Sequence, residues 1–267
     1  MSFLSFFKKK KHPSQLTMPQ LWEKLRRSSD FVEVSFVVGR KELSVYYFDS
    51  LVDPKVLQEN ILCHLQNDLS RRPDVQLEDL QQIVPIQRIE VSEDPAAIEE
   101  KVLKGFVVVS FREQPGKAAL ISAANENLGL RENNDTENEF SVVGPKVGFV
   151  ENIGTNLHLL RRQIVTPNLV FREMMIGSVS KTKVVIAYID GVANPETIRT
   201  MTQRIEAIDF DVVFDNAIID QIIADNSKTP FPLFLSTERI DRAVYALVSG
   251  QVAVFCDGSP YAIIGPS

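Results

Sequence analysis

Apolar residues recur along this chain in two patterns, short continuous runs and longer stretches in which they return every three or four positions. The short runs predict buried β-strands, and the spaced pattern predicts amphipathic helices. After Pro54, such a spacing comprises Val56, Leu57, Ile61, Leu65 and Leu69. After Pro195, it comprises Ile198, Met201, Ile205 and Ile208. Strands that alternate with helices indicate an α/β fold.

The sequence around these two helices occurs twice. Tyr47–Pro54 contains an apolar strand, an aspartate, a short turn and Asp-Pro, and Tyr188–Pro195 repeats this with Asn-Pro. Asp or Asn is a favourable helix N-cap and proline fits the first helical turn, so both segments should open a helix. Asp49 and Asp190, which follow the two strands, are therefore interpreted as turn residues rather than as parts of a nucleotide or metal site.

A second repeat lies downstream. A helix over residues 98–103 leads to Gly105 and two apolar runs, and a helix over residues 240–248 leads to Gly250 and a hairpin with Asp-Gly at its turn. Glycine after a helix supports a C-cap, and DG between apolar runs indicates a hairpin. Both repeats occur in the same order and at nearly the same separation. The sequence therefore predicts two related α/β subdomains from an internal duplication, each with a small mixed sheet flanked by helices.

Polarity sets the predicted boundaries. Residues 124–143 are polar and acidic with few apolar side chains, which predicts a linker. The first subdomain is then 28–123, the second is 144–267, and residues 1–27 form a basic, flexible N-terminal segment and lead-in. An amphipathic helix over 150–164 should open the second subdomain. The chain stops directly after a strand, as expected of an excised portion of a longer protein.

Charge and composition exclude several functional classes. The net charge of −6 argues against a general nucleic-acid binder, which needs a basic surface. Cys63 and Cys256 form no CxxC pair and predict reduced, mostly buried thiols. The N-terminus is an apolar tip followed by Lys8–Lys11, which indicates either a solvated tail or a contact with an anionic membrane surface. No apolar run reaches the ~18 residues of a membrane span.

The sequence contains no familiar catalytic or cofactor motif. None of its histidines lies at ligand spacing with another histidine or cysteine, and the P-loop, GxGxxG and GxSxG patterns do not occur. Cys63 and His64 adjoin, which predicts a core cysteine beside a surface histidine, because neighbours on a helix do not face each other. We therefore expect no enzyme activity, no metal and no cofactor.

Two segments carry a resemblance to a known family. Gly144–Arg162 resembles the GPxxGFxExxxTNLxLIRRR pattern of GerA-type spore germination receptor A subunits, with Gln163 where a third arginine is common. Residues 230–241 resemble the family's PFPQ…TERPD segment, and residues 250–260 resemble its closing GRVA…DGTP hairpin. The order and spacing match over the second half of the chain, and the first half is a weaker match.

This resemblance implies the soluble N-terminal domain of a nutrient germinant receptor A subunit. Such a subunit works with B and C subunits in the spore inner membrane, which it joins through a C-terminal region missing here, and other A subunits are further candidate partners. The domain would contribute to receptor assembly and to the signal coupling that triggers germination, on the cytosolic or core side. The alternative is a domain that binds a small-molecule germinant between its two lobes. No nucleic acid is implied.

Five charged residues of the family-like segments are the predicted interaction or coupling residues. They are Arg161, Arg162, Glu238, Arg239 and Asp241. The alternative is that they form a salt-bridge network between two helices of the second subdomain. In the second segment, Thr237 is predicted to cap a helix that begins at Glu238.

Overall fold

The computed structural model describes residues 16–38, 41–69, 75–128, 147–213, 219 and 234–266. Several sequence features lie outside these residues: the lysines near the N-terminus, residues 129–143 of the predicted linker, and the prolines on either side of Phe231.

The first subdomain is a five-stranded sheet with helices on both faces. Its strands are β1 (Phe31–Val38), β2 (Lys41–Phe48), β3 (Ile89–Ser92), β4 (Phe106–Phe111) and β5 (Ala118–Ser122). Its helices are α1 (Met18–Leu25), a π-helical stretch (Val56–Leu62) that continues into α2 (Cys63–Leu69), a 3-10 turn (Leu77–Asp79) that continues into α3 (Leu80–Ile83), and α4 (Pro95–Val102). The strand order is β1-β2-β4-β5-β3.

The second subdomain repeats this plan. Its strands are β6 (Leu169–Ile176), β7 (Thr182–Ile189), β8 (Leu235–Thr237), β9 (Val252–Cys256) and β10 (Ala262–Gly265). Among its described residues lie the helices α5 (Ile153–Gln163), α6 (Pro195–Glu206) and α7 (Ile240–Val248). The strand order is β6-β7-β9-β10-β8, which is the order of the first sheet with each strand replaced by its counterpart. The predicted fold class, two related α/β subdomains, is confirmed.

The sheets differ from the expected mixed sheets in one respect. Among the described strands, every hydrogen-bonded pair of neighbours is antiparallel. The helix α4 connects β3 to β4, which run in the same direction, but β5 lies between them, and β10 separates β8 from β9 in the same way. A helical crossover thus exists in each half, as parallel strands require, without placing the two strands side by side.

Apolar side chains pack on both faces of each sheet. On one face of the first sheet, α1 and α4 contribute Leu21, Leu25 and Ile98 to a common core, and on the other face the π-helical stretch and α2 contribute Ile61 and Leu65. In the second sheet, α5 and α7 cover one face and α6 the other. Two covered faces explain why β4 and β9 are continuous apolar runs. The helix α1 falls within the predicted lead-in and belongs to the first core; the domain boundaries otherwise stay a prediction.

The predicted helix starts are found at both Asx-Pro sites. The carboxylate of Asp53 accepts a hydrogen bond from the Lys55 amide at 2.8 Å, and the side chain of Asn194 accepts one from Glu196 at 2.9 Å. These bonds satisfy amides that have no partner in the first turn of a helix.

Two local predictions are wrong. Thr237 ends strand β8, paired with Ala262, and α7 begins only at Ile240, because this sheet edge holds the chain extended. Cys63 is exposed, because Ile61 and Leu65, two residues away on either side, face the core.

The glycines after α4 and α7 have the conformation that their position requires. Gly105 and Gly250 have φ angles of +80° and +94°, which only glycine adopts readily. A Cβ atom on Gly105 would lie 2.9 Å from Ala124 and 3.0 Å from the carbonyl oxygen of Leu51. A Cβ atom on Gly250 would lie 3.2 Å from the carbonyl oxygen of Val192.

Candidate functional site at the subdomain junction

The helix α5 places a buried arginine against the first subdomain. The side chain of Arg161 has no exposed surface, and its Nε and Nη2 atoms each donate to one carboxylate oxygen of Asp30 at 2.8 Å. Nη2 also lies 2.9 Å from Ser28 Oγ and 3.3 Å from the carbonyl oxygen of Leu169. A two-pronged pair of this kind fixes orientation as well as distance. Arg161 therefore ties α5 to the segment between α1 and β1.

Aromatic rings from both subdomains enclose this guanidinium group. The carbon atom Cζ of Arg161 lies 4.2 Å from the ring centre of Phe48 in β2 and 4.5 Å from that of Phe171 in β6. The faces of aromatic rings attract cations, and arginine stacks on them well. The charge of Arg161 is thus compensated by one carboxylate and two rings.

Serine side chains hold the carboxylate of Asp30 in place. Ser28 Oγ donates to it at 2.6 Å, and Ser50 Oγ donates at 2.5 Å. Ser28 Oγ also accepts from the amide of Phe171 at 2.9 Å, and the amide of Ser29 donates to the carbonyl oxygen of Phe171 at 2.8 Å. The buried ion pair is therefore part of a network that reaches the backbone of both subdomains.

A histidine one turn earlier on α5 makes a second contact with the first subdomain. His158 is 1% exposed, and its Nδ1 atom lies 2.7 Å from the carbonyl oxygen of Ser50. Burial lowers the pKa of His158 below the ordinary 6.5, although the carbonyl oxygen of Ser50 opposes that shift. The neutral ring is therefore the form that fits this position at neutral pH.

A cleft of about 240 Å³ opens beside this contact. Its lining comprises Leu51, Leu103, Lys104, Ala124, Asn125, Glu126, His158, Arg162 and Val165. The first six lie in the first subdomain or in the segment that follows β5, and the last three lie on or just after α5. Arg162 is exposed, in contrast to its neighbour Arg161. The cleft combines apolar walls with two cations, an anion and a buried imidazole, and a small polar molecule fits that description.

An exposed ion pair also joins the subdomains. Arg27, which follows α1, donates from Nη1 to the carboxylate of Asp190 at 2.6 Å. Their side chains remain 56% and 44% exposed. Water screens such a pair, so an exposed pair of this kind contributes only about 0–1 kcal/mol.

The remaining predicted residues lie around the start of α7. Arg239 donates to both carboxylate oxygens of Asp241, at 3.0 and 2.6 Å, and this hydrogen bonding lowers the pKa of Asp241. Glu238 is buried, and its carbonyl oxygen accepts from the amide of Phe149. A network between two helices of the second subdomain does not describe Arg161, which pairs with Asp30. The structure thus brings Arg161 and Arg162 to the junction and leaves the other three residues together at α7.

Comparison with known proteins identifies the family. A family model described as Bacillus/Clostridium GerA spore germination protein matches residues 19–267. The chain belongs to the GerA family. It is 35% identical over 250 residues to spore germination protein GerIA of Bacillus cereus, covering 94% of this chain and 37% of the relative. It is 30% identical over 251 residues to GerQA of the same organism, covering 94% of this chain and 49% of the relative.

A solved structure of the same family has the same fold. It is the N-terminal domain of the A subunit of the Bacillus megaterium spore germinant receptor GerK3, with a TM-score of 0.70 and 28% identity. The match covers 95% of this chain and 97% of that one. This GerA-family chain spans about half or less of the length of the curated relatives named above. No helix in the described part is long and apolar enough to cross a membrane.

Sequence reasoning missed the partners of Arg161. Asp30 lies 131 positions away from it in the chain, in a Ser-Ser-Asp run that reads as an ordinary turn. His158 lies next to no other histidine or cysteine in the sequence, so no ligand spacing singles it out. The signal that was available is the position of both residues on α5, one turn apart and hence on one face of the helix. Within the described ranges, no group of three or more His, Cys, Asp or Glu side chains is arranged to hold a metal ion.

Proposed function

We propose that this chain is the N-terminal domain of the A subunit of a nutrient germinant receptor, where it contributes to receptor assembly and couples a binding event to germination. The buried Arg161–Asp30 pair between the two subdomains carries this proposal. The similarity to the GerK3 A-subunit domain supports the subunit assignment. The partners in this receptor would be B and C subunits, and other A subunits are further candidates. The proposal includes no nucleic acid.

The junction suits a change in subdomain arrangement. Each subdomain buries its own apolar clusters, so each can move as a body, and only the rings of Phe48 and Phe171 that face Arg161 lose their cover at the junction. The junction contacts named above are hydrogen bonds, ion pairs and the packing of Arg161 between two rings, and water replaces these contacts in a different arrangement. A partner that binds one arrangement more tightly shifts the balance between them. Coupling by such a shift requires neither catalysis nor a cofactor.

The proposed location is the spore inner membrane, with this domain on its cytosolic or core side. The GerA family assignment supports a membrane-associated receptor. The lysine-rich N-terminus and the thiols of Cys63 and Cys256, which form no disulfide, favour the cytosolic side. Protease accessibility of the domain in right-side-out and inverted inner-membrane vesicles would check the side, with cleavage expected only in inverted vesicles.

Arg162 provides the sharpest test of assembly. It is exposed beside the cleft, so Arg162→Ala should leave the domain folded. We expect weaker co-isolation of the B and C subunits with the full-length A subunit, and slower nutrient-triggered germination of spores. Arg199→Ala is the matched control, because Arg199 is an exposed arginine on α6, away from this cleft. Unchanged co-isolation and germination in Arg162→Ala would count against the assembly role.

A second candidate function is direct binding of a germinant in the cleft. The observation that favours it is the buried Nε2 atom of His158, which has no hydrogen-bond partner among the described residues and belongs to a side chain that lines the cleft. Lys104, Glu126 and Arg162 add both signs of charge to the same lining. A small polar molecule would satisfy the imidazole and pair with these side chains.

Titration of the 267-residue chain with amino acids, sugars and nucleosides separates the two functions. Saturable binding tighter than about 1 mM, equivalent to about 4 kcal/mol, would support a sensor. That binding should be lost in Arg162→Ala and retained in Arg199→Ala. Calorimetry and NMR measure the binding. If no compound binds, we expect a partner subunit to recognise the germinant and this domain to have the coupling role.

A further inference from the structure

The geometry of His158 fixes its tautomer. A carbonyl oxygen only accepts hydrogen bonds, so the contact with Ser50 requires the proton to be on Nδ1. In the neutral ring, Nε2 then holds a lone pair. That atom is buried, and the described residues offer it no hydrogen-bond partner. A second proton on the ring would therefore place a positive charge in a buried position, at a cost that the backbone of Leu128 offsets only in part.

The charged groups around the ring come from three sides. Arg162 on α5 and Lys104 after α4 are cations, and Glu126 after β5 is an anion. Behind Ser50, the carboxylate of Asp30 is already paired with Arg161. Burial is the largest effect that lowers the pKa of His158, and the charge of Arg162 acts in the same direction, while the backbone of Ser50 and Leu128 raises that pKa.

We propose that His158 is a proton-sensitive latch: the neutral ring closes the junction by donating to Ser50, and the protonated ring opens it. This inference rests on the proposed function, in which the two subdomains change their arrangement. Protonation places a positive charge on the buried ring, close enough to Arg162 for the two charges to repel, in a cleft also lined by Lys104 and Glu126. Water accommodates that charge better than the closed junction does, and moving α5 away from Ser50 admits water.

The direction of the pH effect follows from the site. The closed arrangement has the lower histidine pKa, so an open arrangement binds the proton more readily. Closure is therefore fully favoured at neutral pH and weakens as the pH falls below the ordinary value of 6.5. For one linked proton, the ratio of closed to open molecules changes by at most about tenfold per pH unit.

The distance between the subdomains can be measured with one native and one introduced label. Cys63 is exposed in the first subdomain, Cys256 is buried, and Ser249→Cys adds an exposed site in the second subdomain. Energy transfer between dyes at positions 63 and 249 is followed from pH 8 to pH 5. We expect an opening transition below pH 6.5 in the labelled parent, and a loss of that transition in His158→Gln, whose amide still donates to Ser50 but does not titrate.

His64→Gln is the matched control, because His64 lies on α2 in the first subdomain. It should keep the transition. An identical transition in His158→Gln, or no transition in the parent, would overturn the latch. The Arg162→Ala assembly test is made at constant pH, so the latch and the proposed function fail independently.

NMR of the unsubstituted chain tests the same point if His158→Gln does not fold. The imidazole nitrogens should show the Nδ1–H tautomer, and the His158 ring should titrate below pH 6.5. Its signal is assigned by exclusion from His12→Gln and His64→Gln spectra. An Nε2–H tautomer, or a midpoint at or above 6.5, would refute the proposal.

Discussion

Arg161–Asp30 and Arg27–Asp190 both join the first subdomain to the second, but only the former is removed from water. Arg161 is fully buried between two phenylalanine rings, and its carboxylate partner is held by serine hydroxyls. Arg27 and Asp190 are about half exposed. The cost of breaking a cross-subdomain ion pair therefore depends on its surroundings more than on the charges involved.

The difference shows where a signal could act on this domain. Breaking an exposed pair replaces protein contacts with water at little cost. Breaking the buried pair leaves a charge without water or a partner. The contacts around α5 should therefore either all be present or all be lost together. The helix α5 is thus the part of the second subdomain on which the junction depends.

The largest effect is expected from Arg161→Met. It leaves the carboxylate of Asp30 buried without its counter-charge, and stability should fall by about 3–5 kcal/mol. Denaturant unfolding of the chain measures this. In the double variant Arg161→Met/Asp30→Leu, part of the loss should be recovered, because neither charge remains. A loss below about 1 kcal/mol in the single variant would show that the buried pair is no stronger than the exposed one.

Gly105 after α4 and Gly250 after α7 allow the cost of the same substitution to be compared between the two subdomains. Gly105→Ala should cost about 1–3 kcal/mol, because strain from a positive φ adds to close contacts with Ala124 and Leu51. Gly250→Ala has a similar φ but a nearest contact of 3.2 Å, so its cost should be smaller. Thermal unfolding of both variants tests the order. The control is Gly191→Ala, which has a positive φ with open space around it.

A smaller effect is expected at the two helix caps. Asp53→Ala and Asn194→Ala each remove a side chain that accepts from helix amides, at a cost of about 1 kcal/mol. Because the caps occupy equivalent places, the two losses measured by chemical denaturation should agree within about 0.5 kcal/mol. Asp94→Ala, at the cap of α4, is a third measurement of the same kind. Losses near zero at both sites would mean that water replaces these caps fully.

The smallest effect is expected from Arg27→Met. An exposed pair contributes about 0–1 kcal/mol, and that contribution should shrink as salt is added. Unfolding measured at low and high ionic strength tests this, with Arg26→Met as a comparison, since Arg26 pairs with Glu33 within the first subdomain. A loss of several kcal/mol for Arg27→Met would contradict the contrast between the two ion pairs.

The duplication could be predicted from the sequence because its signals depend on residues that are close together in the chain. Asx-Pro before a helix and glycine after one are set by backbone conformation and by unsatisfied amides, which neighbouring residues control. The apolar periodicity likewise gave the position of α5 to within three residues at its start. The strand pairing was harder to predict from the sequence. A crossover helix suggests that the strands it connects are parallel neighbours, but β5 and β10 lie between those strands and make the sheets antiparallel.

Only part of the candidate site could be predicted from the sequence. Arg161 and Arg162 stand out by the family pattern, but adjacent positions on a helix face different ways, and the sequence does not say which one is buried. Glu238, Arg239 and Asp241 carry the same kind of pattern but lie around the start of α7, where Arg239 pairs with Asp241. Thr237 failed as a cap because pairing with β10 overrode its local preference.

By itself, the sequence determined that this chain has two α/β halves of common plan, that helices begin after Asp53 and Asn194, that glycines follow α4 and α7, and which family it resembles. The tertiary structure decided that α5 faces the first subdomain, that Asp30 is the partner of Arg161, and that His158 lies buried beside Ser50. The first set depends on interactions between near neighbours in the chain. The second depends on contacts between residues more than a hundred positions apart, and these form only when both sheets have folded and their surfaces meet.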